Sequence, residues 1–284
     1  MTPHTAAPVL APTTRAPVGV FDSGVGGLSV LREIRQRLPA ETLYYVADSG
    51  HAPYGDKTPA YVQARAEHII DWLAQQGCKA VVVACNTVTG LSIQPLRERF
   101  PQLPIVAIEP AVKPAAQQTR SGVVGVLATR NTVQSAGLAR LIAQHAHGVT
   151  VLPQACPGWV ERVERGELNG PDTDTAVAEQ VQPLLQAGAD TLVLGCTHYP
   201  FLRATIERVA GPGVQVLDPA AAVARELERR LHALNLHATD QPAQDVTSAG
   251  TEHFWTSGDL AQSQRVMQTL WHRPVTVRSL PESP

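Results

Sequence analysis

A surplus of charge is the first thing this 284-residue chain lacks: 23 Lys and Arg stand against 25 Asp and Glu, for a formal net charge of -2. Without a basic excess there is no field to hold nucleic acid and no polybasic patch for a membrane surface. Long apolar runs are missing too, none approaching the roughly 20 residues of a membrane-spanning helix. Residues 1–17 are rich in Pro, Thr and Ala. They carry no cationic start followed by an apolar stretch, which predicts a disordered tail and no export signal. Cysteine is scarce, and Cys78, Cys85, Cys156 and Cys196 lack the C-x-x-C pairing of a zinc or dithiol site. Free thiols in a reducing cytoplasm are expected, with no metal. Lysine is scarcer still. Only Lys57, Lys79 and Lys113 could form a Schiff base with pyridoxal phosphate, and nothing around them resembles a pyridine site.

What remains is ordinary for a folded protein, 44% hydrophobic and long enough for one large or two medium domains. Strand and helix signals alternate, which predicts an α/β fold with mainly parallel sheets covered by helices. Leu28, Leu31, Ile34 and Leu38 recur at helical spacing before Pro39, as do Val62, Ala66, Ile69, Ile70 and Leu73 before Gly77. Thr173 or Asp174 is the expected cap of a helix whose buried stripe is Val177, Val181, Leu184 and Leu185, with Pro183 as a kink.

Two segments match each other. Ala80-Val81-Val82-Val83 leads into Ala84-Cys85-Asn86-Thr87, and Thr191-Leu192-Val193-Leu194 leads into Gly195-Cys196-Thr197-His198. Each reads as a strand buried on both faces, ending in a thiol and followed by small polar residues that open a helix. That edge of an open parallel sheet is where ligands bind. Neighbouring segments repeat as well: Val18-Gly19-Val20-Phe21 is echoed by Val124-Gly125-Val126-Leu127, and residues 105–111 by residues 214–220. The common order and spacing predict two pseudo-symmetric α/β domains, residues 18–109 plus 218–284 and residues 110–217, with the active site at their interface. Cys78 and Cys156 read as packing residues.

A carbon acid beside a carboxylate yields its proton only to a base in contact, with donors aimed at the developing charge. Inverting the centre requires a proton to leave one face and arrive on the other, and two fixed thiols on opposite faces can do both. A rival reading takes Gly24-Val25-Gly26-Gly27, with Asp48 after the next strand, as a dinucleotide fingerprint. It fits poorly, because Asp22-Ser23 intervenes and Ser29 stands where a third glycine belongs. A further rival treats the halves as a binding protein with the cysteines as buried filler.

Together, several motifs resemble the glutamate racemases of the cofactor-independent aspartate/glutamate racemase superfamily. They are Phe21-Asp22-Ser23-Gly24-Val25-Gly26-Gly27-Leu28, Asp48 followed by Pro53-Tyr54-Gly55, Ala84-Cys85-Asn86-Thr87, Ala155-Cys156-Pro157 with Glu164-Arg165-Gly166, and Gly195-Cys196-Thr197-His198-Tyr199-Pro200. The match covers residues 17–234, and Trp255-Thr256-Ser257-Gly258-Asp259 extends it. The resemblance implies interconversion of L- and D-glutamate with no cofactor, supplying D-glutamate for peptidoglycan in a bacterial cytoplasm. Racemisation of a related amino acid such as aspartate, and assembly as a homodimer, stay open. It implies that Cys85 exchanges the α-proton on the D-glutamate side and Cys196 on the L-glutamate side. Asp22 would assist near Cys85, and His198, beside Glu164, near Cys196. Substrate contacts are implied at Asp22, Ser23, Tyr54, Gly55, Asn86, Thr87, Thr197 and His198, with Thr129 and Thr132 as weaker candidates. A local Asx turn at Asp22 is compatible with that role, and a structural hydrogen bond is the plain alternative for His198. Asp48 matches an acidic family position, where a turn or cap role serves equally well. Val88-Thr89-Gly90 and Gly158-Trp159 depart from the family pattern and touch helix packing and the pocket rim.

Overall fold

The structure, a computed structural model, describes residues 13–238 and 250–281. Most of the stretch expected to be a disordered tail, residues 1–12, lies outside the described residues, as do 239–249. Among the described residues ten strands run in chain order. They are β1 (Val18–Asp22), β2 (Leu43–Ala47), β3 (Ala80–Val83), β4 (Ile105–Ala107), β5 (Val123–Ala128), β6 (Thr150–Ala155), β7 (Thr191–Gly195), β8 (Gln215–Leu217), β9 (Glu252–Thr256) and β10 (Val277–Ser279). They form a six-stranded sheet ordered β10-β9-β2-β1-β3-β4 and a four-stranded sheet ordered β6-β5-β7-β8. Every pairing is parallel.

The order β2-β1-β3-β4 becomes β6-β5-β7-β8 when each strand is replaced by the one four places later, so the repetition in the sequence is a repetition of topology. β1, β3 and β7 are buried at every position. Helices cover both faces of such strands, which is why they read as unbroken apolar runs rather than as alternating ones.

Local chemistry sets the helix starts. The helix Pro59–Gln75 opens on Thr58, whose hydroxyl accepts from the Tyr61 N–H at 3.3 Å, and Pro59 takes a position where no N–H is needed. Its Val62, Ala66, Ile69, Ile70 and Leu73 are buried as the spacing predicts. The helix Leu28–Arg37 likewise buries Leu28, Leu31 and Ile34. The cap expected at Thr173 or Asp174 is a correction. The helix Pro171–Gln186 begins three or four residues earlier, after Gly170 at φ 106° and with Pro171 in its first turn, while the Thr173 hydroxyl donates to the Glu167 carbonyl. Glycine tolerates that positive φ, and proline presets the next residue for a helix, a stop-and-start pair that outweighs a hydroxyl cap.

One ion pair lies inside the larger sheet's domain. Lys79 Nζ sits 2.6 Å from Glu41 Oε2, with side chains 0% and 1% exposed. Removing one partner leaves a charge that neither water nor a counter-ion reaches. Lys79→Met is expected to cost about 3–5 kcal/mol of unfolding free energy, measured by urea denaturation. The double variant Lys79→Met/Glu41→Gln should recover most of that loss, and equal losses in both would mean the pair carries no such energy.

Candidate active site

Parallel strands present their C-terminal ends along one edge, and that edge of each sheet carries one of the two thiols. Cys85 follows β3 in extended backbone (φ -132°, ψ 113°) and caps the helix Asn86–Arg99, whose first N–H groups are free for an anion. Cys196 follows β7, but no α-helix opens at Thr197. Instead a 3-10 turn, Tyr199–Leu202, precedes the helix Arg203–Ala210. Pro200 in that turn lacks the N–H a regular first turn would use later, and the two thiols therefore differ in their backbone setting.

Both thiols border one cavity, together with Ser23, Tyr54, Gly55, Asn86, Thr87, Thr129, Thr197 and His198. Pro53 and Val160 complete the wall. Cys85 Sγ lies 3.5 Å from Ser23 Oγ, and Cys196 Sγ lies 3.7 Å from His198 Nδ1. Asn86, which lines the cavity, is buried with neither its amide nitrogen nor its amide oxygen bonded to protein. Thr129 reaches Thr87 at 2.9 Å and Thr132 at 3.0 Å, a hydroxyl cluster shared between the two sheets.

Asp22 stands behind this wall, 0% exposed. Its Oδ2 accepts from the Gly27 N–H at 2.7 Å and from the Thr197 hydroxyl at 3.1 Å, and lies 4.0 Å from His198 Nδ1. Glu164 holds the outer side of the imidazole. Its Oε1 is 2.6 Å from His198 Nε2 and accepts the Val25 N–H at 2.7 Å, while its Oε2 accepts the Ser49 hydroxyl at 3.1 Å. Asp48 is the N-cap residue of the 3-10 turn Ser49–His51, and its carbonyl accepts from the His51 N–H at 2.9 Å. Its side chain makes no capping bond; the carboxylate is buried against Arg65 and Tyr54 instead.

The electrostatics are unequal. Burial pushes the Cys85 thiol up, and the Asp22 carboxylate adds to the shift. Burial raises Asp22 itself, against the pull of His198 and the Gly27 N–H. At His198 burial works against the charge, yet the Cys196 sulfur and the Glu164 carboxylate outweigh it and hold the imidazole well above its usual range. Burial also lifts Cys78, to about 12, and Cys156, consistent with inert packing thiols.

Several participants gave no local signal. Ser29, the residue that spoiled the dinucleotide pattern, has its hydroxyl 2.9 Å from the Gly26 carbonyl and 3.0 Å from the Thr197 carbonyl across the seam. A side chain built on Gly24 would meet Glu164 Oε1 at 1.9 Å, and one on Gly26 would meet His198 Nδ1 at 2.2 Å. The glycine loop is thus packed against the imidazole and carboxylate, not open to a pyrophosphate. Among the described residues no group of three His, Cys, Asp or Glu could hold a metal ion, and no helix is long and apolar enough to cross a membrane.

Fold and site together define a class: two parallel α/β sheets, each contributing a buried thiol to one cavity, an arrangement suited to proton exchange at a carbon acid. The pattern of the Asp/Glu/hydantoin racemase family matches residues 18–227. A glutamate racemase of Pseudomonas aeruginosa is 52% identical over 265 residues, 93% of this chain and 97% of that protein. A crystal structure of glutamate racemase from Francisella tularensis in complex with D-glutamate is similar at TM-score 0.81 and 25% identity, covering 94% of this chain and 98% of that one. One from Escherichia coli, in complex with L-glutamate and the activator UDP-MurNAc-ala, is similar at TM-score 0.78 and 34% identity, covering 93% and 98%. The chain belongs to the Asp/Glu/hydantoin racemase family.

The His198–Glu164 contact makes a pH prediction. With a folded-state pKa above the unfolded value of 6.5, the stabilisation from this charge is complete below that value and fades as pH rises through the folded one. Glu164→Gln should lower the pH at which the imidazole loses its proton, followed by its 15N resonances. It should also reduce Tm by about 2–4 °C below roughly pH 6.5, with a smaller loss in alkali. A His198 titration unmoved by the substitution would show that its proton is held elsewhere.

Proposed function

We propose that this chain interconverts L- and D-glutamate by exchanging the α-proton between two thiols, with no cofactor. The observation that carries the reading is that two buried cysteines from different sheets border one cavity. On L-glutamate, Cys196 takes the α-proton, and the electron pair of the broken C–H bond spreads into the adjacent carboxylate. Cys85 then delivers its own proton to the opposite face, and the new C–H bond gives D-glutamate. From D-glutamate the roles exchange. Burial and Asp22 favour Cys85 as the resting proton donor, while His198, held protonated well above its usual range, faces Cys196. The carboxylates of glutamate have as partners Ser23, Thr87, Thr197, the unspent amide of Asn86 and the first N–H groups of the helix Asn86–Arg99. Tyr54 and Gly55 complete the wall on the remaining side.

The named contents of the Francisella and Escherichia structures, D- and L-glutamate, support this substrate. The same reading assigns residues 18–109 plus 218–284 to one lobe and 110–217 to the other, puts the reaction in the cytoplasm, and sends the product to peptidoglycan. A homodimer is part of the proposal, to be tested by light scattering.

Incubation with L-glutamate in heavy water without added cofactor should yield D-glutamate deuterated at the α-carbon, resolved by chiral chromatography and mass spectrometry. Cys85→Ala and Cys196→Ala should each reduce racemisation on the order of 10³-fold or more. Full activity in either variant refutes the two-thiol mechanism. An NADH absorbance change with no change in the optical rotation of glutamate would overturn the substrate and the reaction together.

A further inference from the structure

The segment between β2 and the helix Pro59–Gln75 supplies one wall of the cavity through Pro53, Tyr54 and Gly55. The proton exchange itself does not explain what holds this wall in place. Its anchor is Asp48, whose side chain is 0% exposed. Arg65 grips that carboxylate with a two-pronged fork, Nε to Oδ2 at 3.0 Å and Nη2 to Oδ1 at 2.7 Å. The Tyr54 hydroxyl donates to the same Oδ2. Burial alone would raise the pKa of Asp48, but hydrogen bonds from Arg65, Tyr54 and Ser257 outweigh it and hold the group below the usual carboxylate range.

An ionised carboxylate only accepts, so the Tyr54 phenol can meet it only as a donor. The planar fork also fixes the orientation of the carboxylate, as a lysine's point charge would not. Arg65 projects from a helix whose Val62, Ala66, Ile69 and Ile70 are buried, so the fork starts from a rigid element. From there the path runs through Asp48 to the Tyr54 ring, itself 1% exposed, and so to the backbone of the cavity wall. On the far side of that wall, the Asn131 amide donates to the carbonyls of Tyr54 at 2.9 Å and Lys57 at 2.8 Å. Arg65 borders neither the cavity nor either thiol.

We propose that Arg65 is a positioning residue for substrate binding: acting through Asp48, it fixes Tyr54 and with it the wall formed by residues 53–55. This inference rests on the proposed use of that cavity for glutamate.

The test is steady-state racemisation kinetics in both directions for the wild type, Arg65→Met, Arg65→Lys, Asp48→Asn and the double variant Arg65→Met/Asp48→Asn. Arg65→Met should raise KM for glutamate on the order of tenfold while kcat changes less than about threefold. Arg65→Lys keeps the charge without the fork and should fall between the wild type and Arg65→Met. The double variant leaves no buried charge unpaired, so the test survives a failure of Arg65→Met to fold. Its KM should be no worse than that of the worse single variant, because both changes interrupt one path. A purely structural role would lower Tm and the folded fraction, and hence apparent kcat, with KM unmoved. That result in the folded double variant, or a KM loss equal to the product of the two singles, overturns the proposal. A wild type that does not racemise glutamate overturns the function instead, so the two failures are told apart.

Discussion

Asp22, a carboxylate that water does not reach, is the point on which both sheets close. Its Oδ2 accepts from the Gly27 N–H in the turn after β1 and from the Thr197 hydroxyl beside Cys196. One oxygen thereby ties the turn after β1 to the residue next to Cys196. The same buried charge sits close enough to Cys85 to oppose its ionisation and close enough to His198 to favour its protonation. Geometry and charge distribution thus share one cause. Moving that carboxylate would alter both, because a buried ionised group acts over a longer range than one in water.

The inequality of the thiols does not conflict with the symmetry of the fold. Two enantiomers have equal free energy in water, so no arrangement of the site changes their equilibrium ratio. What the surroundings set is how unlike the two sulfurs' neighbours are. The repeated topology places Cys85 and Cys196 at equivalent strand ends, while the divergent loops after them supply different partners. A helix N-terminus and Ser23 serve Cys85; a 3-10 turn, His198 and Glu164 serve Cys196. Duplication gives the pair its placement, and divergence gives each member its own neighbours.

Much of this was legible in the sequence because it depends on short-range signals. Strands buried on both faces show as unbroken runs of Val and Leu, and the helix Leu28–Arg37 shows its stripe. The matching positions of Cys85 and Cys196 needed only the repeat. What stayed hidden depends on neighbours far along the chain. Arg65 reads as one more polar residue on an amphipathic helix until Asp48 is found beneath it. Ser49, Ser29 and Asn131 each bond across the seam to a residue more than seventy positions away. The start of the helix Pro171–Gln186 was misread for a local reason, since a glycine at positive φ followed by proline competes with hydroxyl caps that lie just downstream.

The glycine loop shows why such a motif is ambiguous on its own. A run of glycines after a first strand states only that something approaches the backbone closely, and a pyrophosphate and a side chain can make the same demand. Here the space beside Gly24 is filled by Glu164 and the space beside Gly26 by His198. Between them the Val25 N–H donates to the carboxylate that also holds the imidazole. The backbone therefore takes part in fixing the charged pair behind Cys196, a task that a side chain at either glycine would block. The occupant of a glycine-rich turn is decided by what the opposite sheet brings to it, and in this chain that is an ion pair serving a thiol.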